Sequence, residues 1–193
     1  MLRTGSAHRP TPIACQGFSL IEVLVATTVL AAGVSTAVGL ALASQRAQRV
    51  AQQHTMAVLL ARAKIEQIRS LTWTRDAALV EVIDRSTNLA APPAEPGGSG
   101  LTASPPGVLA EDVPGYVDYL DRYGAGTRAS SHGPGAAVWV RRWSIATVPD
   151  ATADVLRIEV QVDPVEYVLR QSRSGSRQTP GARLVAFRAR RAR

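Results

Sequence analysis

The chain has 193 residues, 46% of them apolar, a single cysteine and a formal net charge of +7. These numbers suit one modest domain plus an apolar anchor, and they exclude a disulfide-built scaffold, which needs paired cysteines. The basic balance permits contact with anionic lipid or nucleic acid and demands neither.

Residues 1–17 are polar and basic, with Arg3, His8, Arg9, Pro10 and Pro12. Basic residues beside a membrane segment prefer the cytoplasmic side, which places this leader inside and the body outside. Ile13-Ala14-Cys15 has the look of a lipoprotein cut site, but no apolar run precedes the cysteine. In a secretory signal the apolar run comes before the cut and is lost. Here it follows Gly17, so it stays on the protein.

From Phe18 to Ala43 the only charge is Glu22. A helix of this length spans about 39 Å at ~1.5 Å per residue, enough to cross a hydrocarbon core of about 30 Å with some tilt. A charge at the bilayer centre costs about 2.5–3.5 kcal/mol, less near an end, so a carboxylate here calls for a use. If the chain is cut between Gly17 and Phe18, the new amine lies one turn before Glu22 on the same helix face. In an assembly, Glu22 of one subunit could then pair with the Phe18 amine of the next and fix axial register, because either group is costly unpaired in an apolar setting. The plain alternative is an uncleaved signal anchor with a stray glutamate near the interface. Gly33 and Gly39 lie inside the span. They suit either close helix packing or a softened point, and the sequence does not choose between these.

The segment Gly17-Phe18-Ser19-Leu20-Ile21-Glu22-Val23-Leu24-Val25-Ala26 resembles the class III signal of type IV pilins and pseudopilins. The family pattern is a short basic leader, Gly, a methylated Phe, three residues, Glu and then about 15 apolar residues, and every element is present. The resemblance covers about Gly17 to Trp73. It implies an α+β, type IV pilin-like fold, with a long N-terminal helix, transmembrane then amphipathic, packed on a small antiparallel sheet. It implies a structural and assembly protein rather than an enzyme. Prepilin peptidase, a membrane aspartyl protease, would cut after Gly17 and methylate the Phe18 amine, and Glu22 would guide docking into a growing fibre. Gly17 suits the cut because no side chain obstructs an extended backbone in a protease cleft. Other implied partners are major or minor pilins or pseudopilins, the inner-membrane assembly platform and membrane lipid. The implied location is the bacterial inner membrane, single-pass with the C-terminal domain outside the cytoplasm, then a pilus or pseudopilus. The segment Leu59 to Leu71 is similar to the helix exit of minor pilins of the PilV type and of the type II secretion pseudopilin I.

The amphipathic half of the helix falls in 44–75, with helix expected over 18–72. Val58, Ala61, Ile65 and Ile68 share one apolar face, with Arg62, Lys64, Glu66 and Arg69 mostly off it. Residues 76–136 read as a Pro/Gly-rich loop region, densest over 88–115, with a second glycine loop from Gly124 to Gly135. Residues 137–193 read as an antiparallel sheet. Val138, Val140 and Arg142 fall on one face of the first strand, and Trp139, Arg141 and Trp143 on the other. Val155–Val162 alternates cleanly, with Leu156, Ile158, Val160 and Val162 together. Leu184–Phe187 is a third strand, and Tyr167-Val168-Leu169 is the candidate to pair with it.

His54 and His132 are far apart, and no zinc spacing, phosphate loop or nucleophile elbow is legible, so no catalytic, cofactor or metal residues are expected. Asp112, Asp118 and Asp121 do not match an EF-hand and read as solvated turn carboxylates. Trp139 and Trp143 read as core packing ahead of a stacking platform. The terminal Arg188-Ala-Arg-Arg-Ala-Arg193 reads as a solvated tail, with contact to lipid or nucleic acid as the sharper option.

The sequence reads as a minor subunit of a type IV pilus, processed by prepilin peptidase, with a type II secretion pseudopilin or a DNA-capture pilin of a natural transformation pilus as the alternatives. Salt-dependent DNA binding lost on neutralising Arg188, Arg190, Arg191 and Arg193 would mark the third.

Overall fold

The computed structural model describes residues 17–90, 95–127, 136–148, 154–174 and 181–190. The chain divides into two compact units between Ala47 and Gln48. The expectations for residues 1–16 concern a segment outside the described residues.

Helix α1, Leu20–Ser70, begins where Ser19 turns its carbonyl to the amides of Glu22 and Val23, at 3.0 and 3.2 Å. Ser19 is a good N-cap residue. The helix runs through Gly33 and Gly39 without interruption. Its part in the first unit buries no side chain within that unit.

In the second unit the rest of α1 packs on a five-stranded antiparallel sheet, an α+β arrangement of the type IV pilin-like kind. The strands are β5 (Val117–Leu120), β6 (Gly126–Thr127), β7 (Trp139–Thr147), β8 (Val155–Pro164) and β9 (Ala182–Ala189). Their order is β6-β5-β7-β8-β9. The period-2 pattern of β7 and β8 places Trp143 opposite Val160 and Ile145 opposite Ile158, all buried. These side chains meet Ala57, Leu60, Ala61, Ile65 and Ile68 of α1 in one core. Trp139 and Trp143 are part of it.

Several expectations are corrected here. The buried face of α1 is Ala57, Leu60, Ala61, Lys64, Ile65 and Ile68; Val58 is only half-buried, and Lys64 lies on the stripe rather than off it. Helices present i, i+3, i+4, i+7 to one side, and Lys64 fits that spacing from Ala57, Leu60 and Ala61. Tyr167-Val168-Leu169 is not a strand but part of helix α2, Val165–Ser174. Pro164 just before it and Glu166 in its first turn are ordinary helix-start signals.

Residues 76–136 also hold more pairing than a loop. They carry β2 (Glu81–Ile83), which pairs with β1 (Trp73–Arg75). They carry β3 (Thr87–Asn88) and β4 (Glu95–Pro96), which pair with each other, and β5 and β6 of the main sheet. The β5–β6 turn runs close against α1. At Gly124, φ is +83°, a conformation that strains any residue with a Cβ, and an added Cβ would lie 2.6 Å from Leu60 Cδ2, so glycine is favoured.

Candidate functional site

In the first unit, Phe18 is 82% exposed and Glu22 lies one turn further along the same face. Together with Val23, Ala26, Thr27 and Leu30 they line a shallow hollow of about 430 Å³. Glu22 sits three residues after the cap, where a carboxylate complements the helix dipole and could reach back to the cap amide. Its carboxylate has no hydrogen bond or ion pair among the described residues. Beyond it the helix surface is a sheath of exposed Val and Leu side chains, with a mean hydropathy of 2.0 over its most apolar window.

Four hydroxyls in this stretch are satisfied internally. Thr27, Thr28, Ser35 and Thr36 all donate to carbonyls of their own helix three or four residues back, at 2.8–3.2 Å. In hydrocarbon an unsatisfied donor costs several kcal/mol, so hydroxyls that bond back to the helix make the segment fit for lipid. By length and composition α1 is able to cross a membrane. An added Cβ at Gly33 or Gly39 would meet nothing within 4 Å. Neither glycine serves packing inside this unit.

The geometry thus joins three things on one rod: an exposed phenylalanine, a carboxylate one turn on with no partner among the described residues, and an apolar sheath. Residues 14–38 match the prokaryotic N-terminal methylation motif. That motif marks a type IV pilin-like substrate of prepilin peptidase, and it supports a chain of the type IV pilin or pseudopilin kind. It agrees with membrane anchoring and with association with other pilins. No curated protein and no solved structure matches the chain.

The second unit holds a buried ionic cluster that the sequence reading missed. Asp118, on β5, accepts two hydrogen bonds from Arg141 of β7, Nε to Oδ1 at 2.9 Å and Nη2 to Oδ2 at 2.8 Å. Lys64 Nζ of α1 lies 2.8 Å from Asp118 Oδ2. Lys64 is 0% exposed, Asp118 7% and Arg141 9%, so Asp118 is not the solvated turn carboxylate expected from its sequence. Two cations share one anion. The excess positive charge is met by neutral acceptors and a ring: Lys64 Nζ donates to Gln67 Oε1 at 3.0 Å and Leu89 O at 2.5 Å, and it lies 3.9 Å from the Trp143 ring centroid. Arg141 Nη1 donates to Leu60 O at 3.0 Å. The cluster bolts the outer part of α1 to β5 and β7. Asp112 is exposed, as expected, and it also pairs with Arg142 at 2.7 Å and accepts from the Tyr119 hydroxyl at 2.7 Å. Asp121 caps its own turn, accepting from the amides of Tyr123 and Ala125.

Burial holds the Lys64 ammonium down to about pKa 8, with Arg141 pushing the same way and Asp118 opposing. Folding therefore favours the neutral amine, and the unfolded chain keeps its proton up to the ordinary lysine range. Between pH 8 and 10 the unfolded state binds more protons, so stability rises with pH, by at most about 1.4 kcal/mol per unit. Above pH 10 Tyr119 works the other way, because burial and Asp112 raise it to about 12. A urea titration is expected to give a higher midpoint at pH 9.5 than at 7.5 for the native chain, with the difference lost in Lys64→Met. Equal midpoints at the two pH values in the native chain would contradict it.

The C-terminal arginines within the described residues are not a solvated tail. Arg190 pairs with Glu81 at 2.6 Å and Asp154 at 3.2 Å, and its guanidinium lies 4.9 Å from the Trp73 ring centroid. Arg188 Nη2 donates to Leu71 O at 2.8 Å. The β1–β2 hairpin is thereby fastened to the end of β9. Arg191 and Arg193 lie outside the described residues.

Proposed function

We propose that the chain is a minor pilin subunit of a type IV pilus. In this reading it enters the inner membrane with residues 1–17 in the cytoplasm, is cut by prepilin peptidase between Gly17 and Phe18, and is methylated on the Phe18 amine. It then docks into the growing fibre through Glu22, in contact with the assembly platform and neighbouring pilins, as part of a tip or priming complex. The observation that carries the proposal is Phe18 and an unpaired Glu22 lining one hollow at the head of an apolar helix, inside the matched methylation motif. A carboxylate with no partner among the described residues is costly on an apolar rod in a membrane or fibre, and a neighbour's amino terminus would supply the opposite charge.

The domain plan follows: 1–17 leader, 18–43 membrane and assembly helix, 44–75 outer helix, 76–136 surface region and 137–193 the main run of the sheet. The second reading is a type II secretion pseudopilin, supported by the likeness of Leu59–Leu71 to pseudopilin I as well as PilV-type chains. Deleting the gene in its host separates the two. Loss of surface pili with normal protein secretion supports the pilus subunit, and lost secretion with normal pili overturns it in favour of the pseudopilin. The DNA-capture reading has less support, because Arg188 and Arg190 are already engaged by Leu71 O, Glu81 and Asp154.

A further inference from the structure

Helix α1 stops at Ser70. At that end of the sheet the inner face is covered by the β1–β2 hairpin and by the chain around Leu101, and the cover is incomplete. A hollow of about 450 Å³ opens there, with an apolar basin of Ile83, Leu101, Ile145 and Leu156. Its wall carries free backbone as well. Ser104 N donates to Ile145 O and Ile145 N donates to Ser104 Oγ, both at 2.8 Å, while Val148 N donates to Val155 O. Successive residues of an antiparallel strand aim their backbone groups to opposite sides. Thr147 therefore turns its N–H and C=O away from β8, one step along from the Ser104 pairing. The chain does not follow it, because Thr102 N donates to Ser99 O instead. Among the described residues nothing bonds to the Thr147 backbone, and Thr147, Thr102 and Ala103 all line the hollow.

The charges around the hollow leave one cation over. Arg190 is held by Glu81 and Asp154, and Arg75 by Asp154. Arg85 lines the hollow, is exposed, and has no hydrogen bond or ion pair among the described residues. Three arginines thus stand against two carboxylates. The Trp73 ring offers no open face, since it is buried with the Arg190 guanidinium over it. That argues against a stacked sugar or base, which needs an exposed ring.

We infer that this hollow binds an apolar amino acid acylated on its nitrogen and bearing a free carboxylate. Each part of that ligand answers one feature of the wall. The apolar side chain fills the basin, as in most small-molecule sites. The amide pairs with the Thr147 N–H and C=O, which no strand satisfies. The carboxylate meets Arg85, whose planar fork suits it and whose charge is the one left over. A phosphate monoester brings about two charges where one is spare. Two sources carry the chosen chemistry: a free N-acyl amino acid, and the C-terminal residue of a protein. The site does not depend on cleavage at Gly17.

The test is nuclear magnetic resonance on the full chain in a nonionic detergent, titrated with N-acetyl-leucine. Saturable shifts are expected at the Trp73 indole N–H and the Thr147 amide, with a dissociation constant of about a millimolar for so small a ligand. Affinity should fall at least about tenfold for N-acetyl-leucinamide, which lacks only the charge, and by a similar factor in Arg85→Gln. A peptide of about ten residues ending in leucine separates the sources. Saturable binding at the same two positions assigns a protein C-terminus, and binding of the small acid alone assigns the free compound; either supports the site. No shift at about 10 mM of either probe, equal binding of the acid and its amide, or unchanged binding in Arg85→Gln would each overturn the inference. The amide probe needs no variant, so a misfolded Arg85→Gln protein leaves the test intact. Cleavage at Gly17, read separately by intact mass, keeps failure here distinct from failure of the pilin reading.

Discussion

Replacing Asp118 by alanine is expected to destabilise the Gln48–Arg193 unit by about 3–5 kcal/mol, the range for stripping one partner from a buried ion pair. The loss exceeds that of a simple hydrogen bond because two cations depend on this one carboxylate. Without it Lys64 and Arg141 face each other across a dry space, with only Gln67, Leu89 O, Leu60 O and the Trp143 ring to hold them. Asp118→Asn keeps the shape and one acceptor but loses the charge, and should fall between the native chain and Asp118→Ala. A double change, Lys64→Met with Asp118→Asn, is expected to recover part of the loss, because one excess cation is gone. Urea unfolding of the native chain and these variants reads all of this. A stability change below about 1 kcal/mol in Asp118→Ala would show that the cluster does not hold α1 to the sheet.

The second large effect is at Glu22. Glu22→Leu improves the helix as a membrane span, since it removes about 2.5–3.5 kcal/mol of burial cost at the bilayer centre and somewhat less near the end. If the carboxylate were a stray charge, the change would be neutral or favourable. In the fibre reading it removes the partner for a neighbour's amine, so the subunit is expected to be inserted and cut normally yet to drop at least about tenfold in sheared fibres. Quantitative mass spectrometry of the fibre and membrane fractions measures both pools. Equal recovery of Glu22→Leu and native chains in fibres would remove the assembly role from Glu22.

The parts of this molecule that could be read from sequence are those whose physics is local. Seventeen to 26 is a motif of neighbours, and β7 and β8 announce themselves by alternation, since each strand's inner face is apolar almost throughout. Lys64, Asp118 and Arg141 were hidden because burial of a charge depends on partners far along the chain, 23 residues apart for the arginine pair alone. Spacing did carry a trace: Lys64 falls on the Ala57–Ile68 stripe, and Asp118 alternates with buried Tyr116 and Leu120. Tyr167-Val168-Leu169 misled because a three-residue apolar run suits a strand and a short helix equally, and Pro164 with Glu166 was the better guide. β2 to β6 were masked by glycine and proline, which mark turns and say little about the two- to four-residue strands between them. That β9 lies last in the main sheet was beyond sequence altogether, because strand order is a property of the topology.

Intact mass and N-terminal sequencing of the protein from membranes, with and without prepilin peptidase, test the central claim most directly. The account predicts a chain beginning at Phe18 and about 14 Da heavier than its residues when the peptidase is present, the mass of one added methyl group, and an uncut chain when it is absent. A chain that remains uncut with the peptidase present, or one cut elsewhere, would contradict it and leave Glu22 as an unpaired charge on an ordinary anchor.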